Sequence, residues 1–85
     1  MVKTISDLYL DARRVLVTQE EPQLASLMAR NLVCHVTGMT QEQVLAKRDM
    51  YVNESVCLQM DAAVQRLMNG EPLAYVLGKW EFYGL

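Results

Sequence analysis

NGEPLAYVLGKWEFYGL, residues 69–85, decides how the rest of the chain is read. Asn69-Gly70 supplies a helix stop, and Pro72 has the fixed φ that suits the first turn of a new helix. The short run Leu73-Ala74-Tyr75-Val76-Leu77 then fits a fifth helix, which Gly78 ends. Beyond it, Trp80 and Phe82 alternate with Glu81 and Tyr83, the period-2 pattern of a strand. A lone strand leaves a row of unpaired amides and carbonyls, and even a two-stranded hairpin is marginal by itself. The strand over 79–85 is therefore expected to be the start of a β-hairpin linker, paired in a longer protein. Everything upstream has helical period, so the expected fold class is all-α, a small antiparallel bundle of four or five helices with a C-terminal β-strand tail.

Working back from the tail, each helix carries its own start signal. Thr4, with Asp7 three residues on, resembles a capping box, and Ile5, Leu8, Tyr9, Ala12, Val15 and Leu16 keep the i, i+3, i+4 rhythm of one apolar stripe. The second helix starts near Pro22 and runs to Gly38. Its apolar residues Leu24, Ala25, Leu27, Met28, Leu32, Val33, Cys34 and Val36 cover more than one stripe, which predicts a central helix contacted on two sides. Thr40 and Gln43 form a second capping box, for a short third helix anchored by Val44 and Leu45 and acting as a lid. The fourth starts after Asn53, and Val56, Met60, Ala63, Val64 and Leu67 recur at helical spacing.

Composition narrows the function classes. A chain of 85 residues, 52% apolar with net charge −2, is one globular domain that buries roughly 60–65% of its unfolded surface. No apolar stretch approaches the roughly 18 residues needed to cross a bilayer, and the N-terminus lacks a signal-peptide core, so the expected location is cytoplasmic with no membrane partner. Eight basic residues are scattered among ten acids, so direct nucleic-acid binding is not expected. Cys34 and Cys57 lack Cys-x-x-Cys spacing and read as reduced core residues, and no metal site is expected. His35 reads as a core or boundary histidine, since no nucleophile is patterned around it. Glu20-Glu21 and Asp61 lie among solvent-facing residues, away from any cleft that would shift a carboxylate pKa. Met28, Met60 and Met68 fall at core spacing, while Met39 and Met50 stand near helix ends. Most of the six aromatics fall in the last eleven residues, as Tyr75, Trp80, Phe82 and Tyr83, a concentration that points to an interface.

Arg66, then Gly70-Glu71-Pro72-Leu73-Ala74-Tyr75-Val76-Leu77-Gly78, then Glu81-Phe82-Tyr83-Gly84-Leu85 resembles the linker region of the release-factor glutamine methyltransferases, the HemK/PrmC family. That family's motif is close to R-x-x-x-G-E-P-L-A-Y-I-L-G-x-x-E-F-x-G-L. Upstream, LASLMARNLVCHVTGMTQEQVL resembles the family's A-x-x-L-x-x-x-V-L-G segment with its short capped helix. Two places depart from the pattern: Leu67 stands where a second arginine is common, and Gln23-Leu24 near a usual aspartate.

The resemblance implies a helical substrate-recognition domain over 1–78 and, past the linker, a Rossmann-like methyltransferase domain absent from this chain. The implied reaction moves a methyl group from S-adenosylmethionine to the glutamine amide of the Gly-Gly-Gln motif in peptide-chain release factors. The implied partners are a release factor and the chain's own catalytic domain. The glycine-rich cofactor loop and the Asn-Pro-Pro-Tyr motif are not among these residues, so catalytic and cofactor-binding residues are expected elsewhere. Arg66, Glu71, Pro72, Tyr75, Trp80, Phe82 and Tyr83 are the candidates for interdomain or substrate contact. The alternative reading is a self-contained helical protein–protein interaction module whose aromatic tail packs on its own core or on a second copy.

Overall fold

The computed structural model describes residues 2–78. The strand expected over 79–85, with Trp80, Phe82 and Tyr83, lies outside the described residues. Within them, helices α1 (Ile5–Leu16), α2 (Pro22–Thr37), α3 (Gln41–Ala46), α4 (Glu54–Met68) and α5 (Leu73–Leu77) follow in order. Two two-residue strands, β1 (Lys3–Thr4) and β2 (Tyr51–Val52), complete the order, β1 preceding α1 and β2 lying between α3 and α4.

The helix starts are those the caps dictate. The Asp7 amide donates to Thr4 Oγ1 at 3.1 Å while the Thr4 amide donates to the Asp7 carboxylate at 3.0 Å. Thr40 and Gln43 make the same reciprocal pair at the head of α3. The Val56 amide donates to Asn53 Oδ1 at 2.9 Å and starts α4. Pro72 sits just before α5 as its cap residue rather than inside its first turn. At the end of α2, Gly38 takes the left-handed conformation, φ 71°, which an L side chain rarely adopts, and its amide closes onto the Cys34 carbonyl at 2.9 Å.

The core lies among α1, α2 and α4. Ile5, Leu16, Leu32 and Val33 are its largest fully buried side chains. Each contributes about 1.5–3 kcal/mol by leaving water. Ala25 and Ala29, one turn apart on α2, are also sealed, as is Ala12 on α1, so these helices approach on small residues. α2 touches α1, α3, α4 and α5, which makes it the central helix its pattern predicts. Its outer side is less covered than expected, because Leu24 and Leu27 are exposed.

Local sequence pattern misplaces other side chains. Val44 is buried and holds α3 down, but Leu45 is 70% exposed and anchors nothing. In a helix of six residues, one turn can face the core and the adjacent position must point away. His35 is exposed, a correction to its expected core or boundary place. Cys34 and Cys57 are half-buried at the margin of the core. Met60 is buried, and Met28, Met39 and Met68 pack partly against the core, while Met50 is exposed.

The β1–β2 pair has no counterpart in the sequence pattern. It is antiparallel, with Lys3 opposite Val52 and Thr4 opposite Tyr51. Its continuation answers an accounting problem, since the first amides of a helix have no intrahelical acceptor. The Ile5 amide donates to the Met50 carbonyl at 3.0 Å and the Ser6 amide to the Arg48 carbonyl at 2.9 Å. The segment after α3 thereby fastens to the start of α1.

Candidate functional site

The C-terminal end of the bundle is built from the last turn of α4, the turn 69–72 and α5. α4 closes with the Asn69 amide on the Gln65 carbonyl at 2.9 Å, the Gly70 amide on Leu67 at 3.0 Å and the Glu71 amide on Arg66 at 3.1 Å. Gln19, from the α1–α2 turn, adds a cross-link by donating from Nε2 to the Met68 carbonyl at 3.3 Å. α5 is then pinned by Val76 and Leu77, both buried.

Over this turn lies one ion pair. Arg66 donates from Nε at 3.0 Å and from Nη2 at 2.9 Å, both to Oε1 of Glu71. The bonds from Arg66 hold the Glu71 carboxyl below its ordinary range, and the carboxylate in turn raises the Arg66 guanidinium. Both side chains are partly exposed, so the pair adds little stability. It spans the α4–α5 corner, from the last turn of α4 to the residue before Pro72.

The structure thus brings Arg66 and Glu71 together, and Pro72 follows Glu71 as the exposed start of α5. Tyr75 projects from α5 with 57% of its surface open. Beside them is an open groove of about 230 Å³ between α2, α4 and α5, lined by His35, Val36, Ala62, Arg66 and Val76 among others. Gln19 takes part in this corner without being singled out by its sequence, and His35 lines it although its sequence reads as a core or boundary place. His35 is 31 positions from Arg66 by subtraction, and only the packing of α2 on α4 joins them.

Chemically, the corner holds a paired cation, a paired carboxylate, a phenol and a histidine around an apolar floor. That set is chemically suited to contact with another surface, and among the described residues of the corner there is no activated nucleophile. Among the described residues, no group of three or more His, Cys, Asp and Glu side chains is placed to hold a metal ion.

Residues 7–78 match the family model described as the PrmC N-terminal domain. The release factor glutamine methyltransferase of Haemophilus influenzae is 43% identical over 54 residues, covering 64% of this chain and 18% of the relative. Its counterpart in Neisseria gonorrhoeae is 37% identical over 62 residues, 73% of this chain and 23% of the relative. The Escherichia coli protein of the same name is 37% identical over 57 residues, 67% and 21% respectively. The chain therefore spans about a fifth of the length of these curated relatives. No solved structure matches it.

Proposed function

Because the chain belongs to the PrmC N-terminal domain family, we propose that it is the substrate-gripping domain of a protein-glutamine methyltransferase acting on peptide-chain release factors. The family match over residues 7–78 is the observation that supports this reading most. In it, residues 1–78 bind the release factor in the cytoplasm, and 79–85 lead into a Rossmann-like domain that performs the transfer. S-adenosylmethionine supplies the methyl group to the glutamine amide nitrogen of a Gly-Gly-Gln motif.

The described residues do not fit that cofactor themselves. A cradle for it needs glycines where the backbone comes close to the ligand. Here a Cβ added at Gly38, Gly70 or Gly78 meets nothing within 4 Å, and each residue merely ends a helix. The cofactor therefore belongs to the catalytic domain, and this chain contributes position. An amide nitrogen is a poor nucleophile that must lie in line with the methyl group, and holding the protein substrate far from the reacting atom lowers the entropic barrier to that alignment.

Within this reading, Arg66, Glu71, Pro72 and Tyr75, with Trp80, Phe82 and Tyr83, form the joint between gripping and catalytic domains or touch the substrate directly. Methyl transfer by the protein encoded by the whole reading frame tests this, with an intact release factor and a short Gly-Gly-Gln peptide as alternative substrates. Arg66→Ala combined with Tyr75→Ala is expected to raise KM for the intact factor several-fold while leaving turnover of the short peptide unchanged. Equal effects on both substrates, or none, would overturn the assignment. So would a reading frame that, past Leu85, encodes neither a glycine-rich loop nor Asn-Pro-Pro-Tyr.

A further inference from the structure

The basic residues are not distributed as their sequence spacing suggests. Lys3 pairs with Asp11 at 2.9 Å, Arg14 reaches the same carboxylate at 3.7 Å, Arg66 is held by Glu71, and Arg13 donates to Ser26 Oγ at 2.8 Å. Among the described residues, the cations left without an ion pair or side-chain hydrogen bond are Arg30, Lys47 and Arg48. Two of them, Arg30 and Arg48, line the same groove, about 330 Å³ between α1, α2 and α3. Its apolar wall is Tyr9, Leu10, Val44 and Leu45. Leu10 is 48% exposed and Leu45 is 70% exposed, and the two line the same opening. No acid lines the groove, although Asp7, Glu42 and Asp49 stand next to lining residues in sequence.

The position of Arg48 is also built in. Its carbonyl accepts the Ser6 amide at 2.9 Å, so the backbone that carries this guanidinium is tied to the start of α1. An exposed apolar wall with two unpaired guanidinium groups beside it has the complementarity of a partner that is apolar on one face and acidic at its rim.

We propose that the α1–α2–α3 groove docks an acidic amphipathic segment of a partner protein, with leucine-like or phenylalanine-like side chains against Leu10 and Leu45 and carboxylates on Arg30 and Arg48. The recognition mode is a short helix or extended peptide laid in a groove. A nucleic acid fits less well, because the wall is apolar and the chain as a whole carries net charge −2. This docking site is distinct from the α4–α5 corner and stands without the methyltransferase reading.

Two labelled synthetic peptides of equal length test it. Both carry a helical stripe of leucine and phenylalanine, flanked in one by glutamates and in the other by lysines. Amide shifts and fluorescence anisotropy of the whole 85-residue chain report binding. The glutamate peptide is expected to perturb residues of 5–10 and 41–48 and to bind about tenfold more tightly than the lysine peptide, the combined effect of two partly exposed charge pairs. Arg30→Glu with Arg48→Glu should reverse that preference, and Leu45→Ser should weaken the glutamate peptide without touching a charge. All three side chains are exposed, so the variants keep the helical signal in circular dichroism. Should the double variant lose that signal, Leu45→Ser decides, and unchanged affinity overturns the proposal. Equal binding of the two peptides, shifts gathered instead around Ala62 and Val76, or displacement by a single-stranded oligonucleotide as effective as by the glutamate peptide would each overturn it. The same holds if groove shifts in the unliganded chain change on dilution or on removal of 79–85, which would identify a second copy or the chain's own end as the occupant.

Discussion

The three long helices and the two short ones carry different burdens. α1, α2 and α4 contribute nearly all of the sealed side chains, and their mutual contact makes the core. α3 and α5, of six and five residues, contribute only Val44, Val76 and Leu77. Yet both grooves have one wall on a short helix: α3 borders the arginine-rimmed groove, and α5 borders the corner with Arg66 and Glu71. On the two proposals, stability and recognition fall to different elements. A short helix fastened by one or two apolar anchors can be shaped to a partner without disturbing the core beneath it.

The widest gap between the two regions is expected in core truncation. Leu32→Ala removes a fully buried side chain of α2 and should cost about 2–5 kcal/mol in urea unfolding. A cost below about 1 kcal/mol would mean that α2 is not the central pillar.

Losing one cap in each region sharpens the contrast. Asn53 caps α4 and Thr40 caps α3, each through a hydrogen bond to an amide three residues on. Asn53→Ala should lower global stability by about 1 kcal/mol. Thr40→Ala should lower it less, and show instead as faster hydrogen exchange confined to residues 43–47, because a helix on a single anchor opens alone. Equal global losses would join α3 to the core and break the division.

Glu71 gives the smallest effect, and its sign is fixed. Its folded pKa is depressed by the bonds from Arg66, so the pair's contribution is present above the ordinary carboxylate range and is lost only as pH falls through the lowered value. Lys3 behaves oppositely: bonded to Asp11, its folded pKa is raised, and its contribution is lost as pH rises through that raised value. The Arg66–Glu71 pair should therefore be insensitive to pH near neutrality. A titration of the Glu71 carboxyl carbon by NMR is expected to give a midpoint below that of the unfolded chain, and Arg66→Ala should return it towards the ordinary value.

How far the sequence anticipates this molecule follows the range of the forces involved. Caps and helical stripes are local, and Thr4, Thr40, Asn53 and Gly38 mark element ends within a residue or two of where they occur. The β1–β2 pair escapes notice because two residues form no pattern, and its partners are joined only once α1's first amides seek acceptors. Leu45 adjoins Val44 and so reads as an anchor, and His35 has apolar neighbours and so reads as a core or boundary residue; both are exposed. The Arg66–Glu71 contact lies within one helix turn and its linker, which is why the motif carries it. Arg30 and Arg48 look scattered along the chain, and no periodicity relates residues on different helices.

The most direct measurement is a titration of the isotope-labelled chain with a bacterial peptide-chain release factor, followed by amide chemical shifts. On the proposed reading this chain is half of a two-domain grip and binds weakly, and shift changes register affinities near about 1 mM. Progressive, saturable shifts on the exposed helical surface, with the core amides of Leu32 and Val33 unmoved, are the result expected of a substrate-gripping domain. A spectrum unchanged to the highest soluble concentration of the release factor would contradict it.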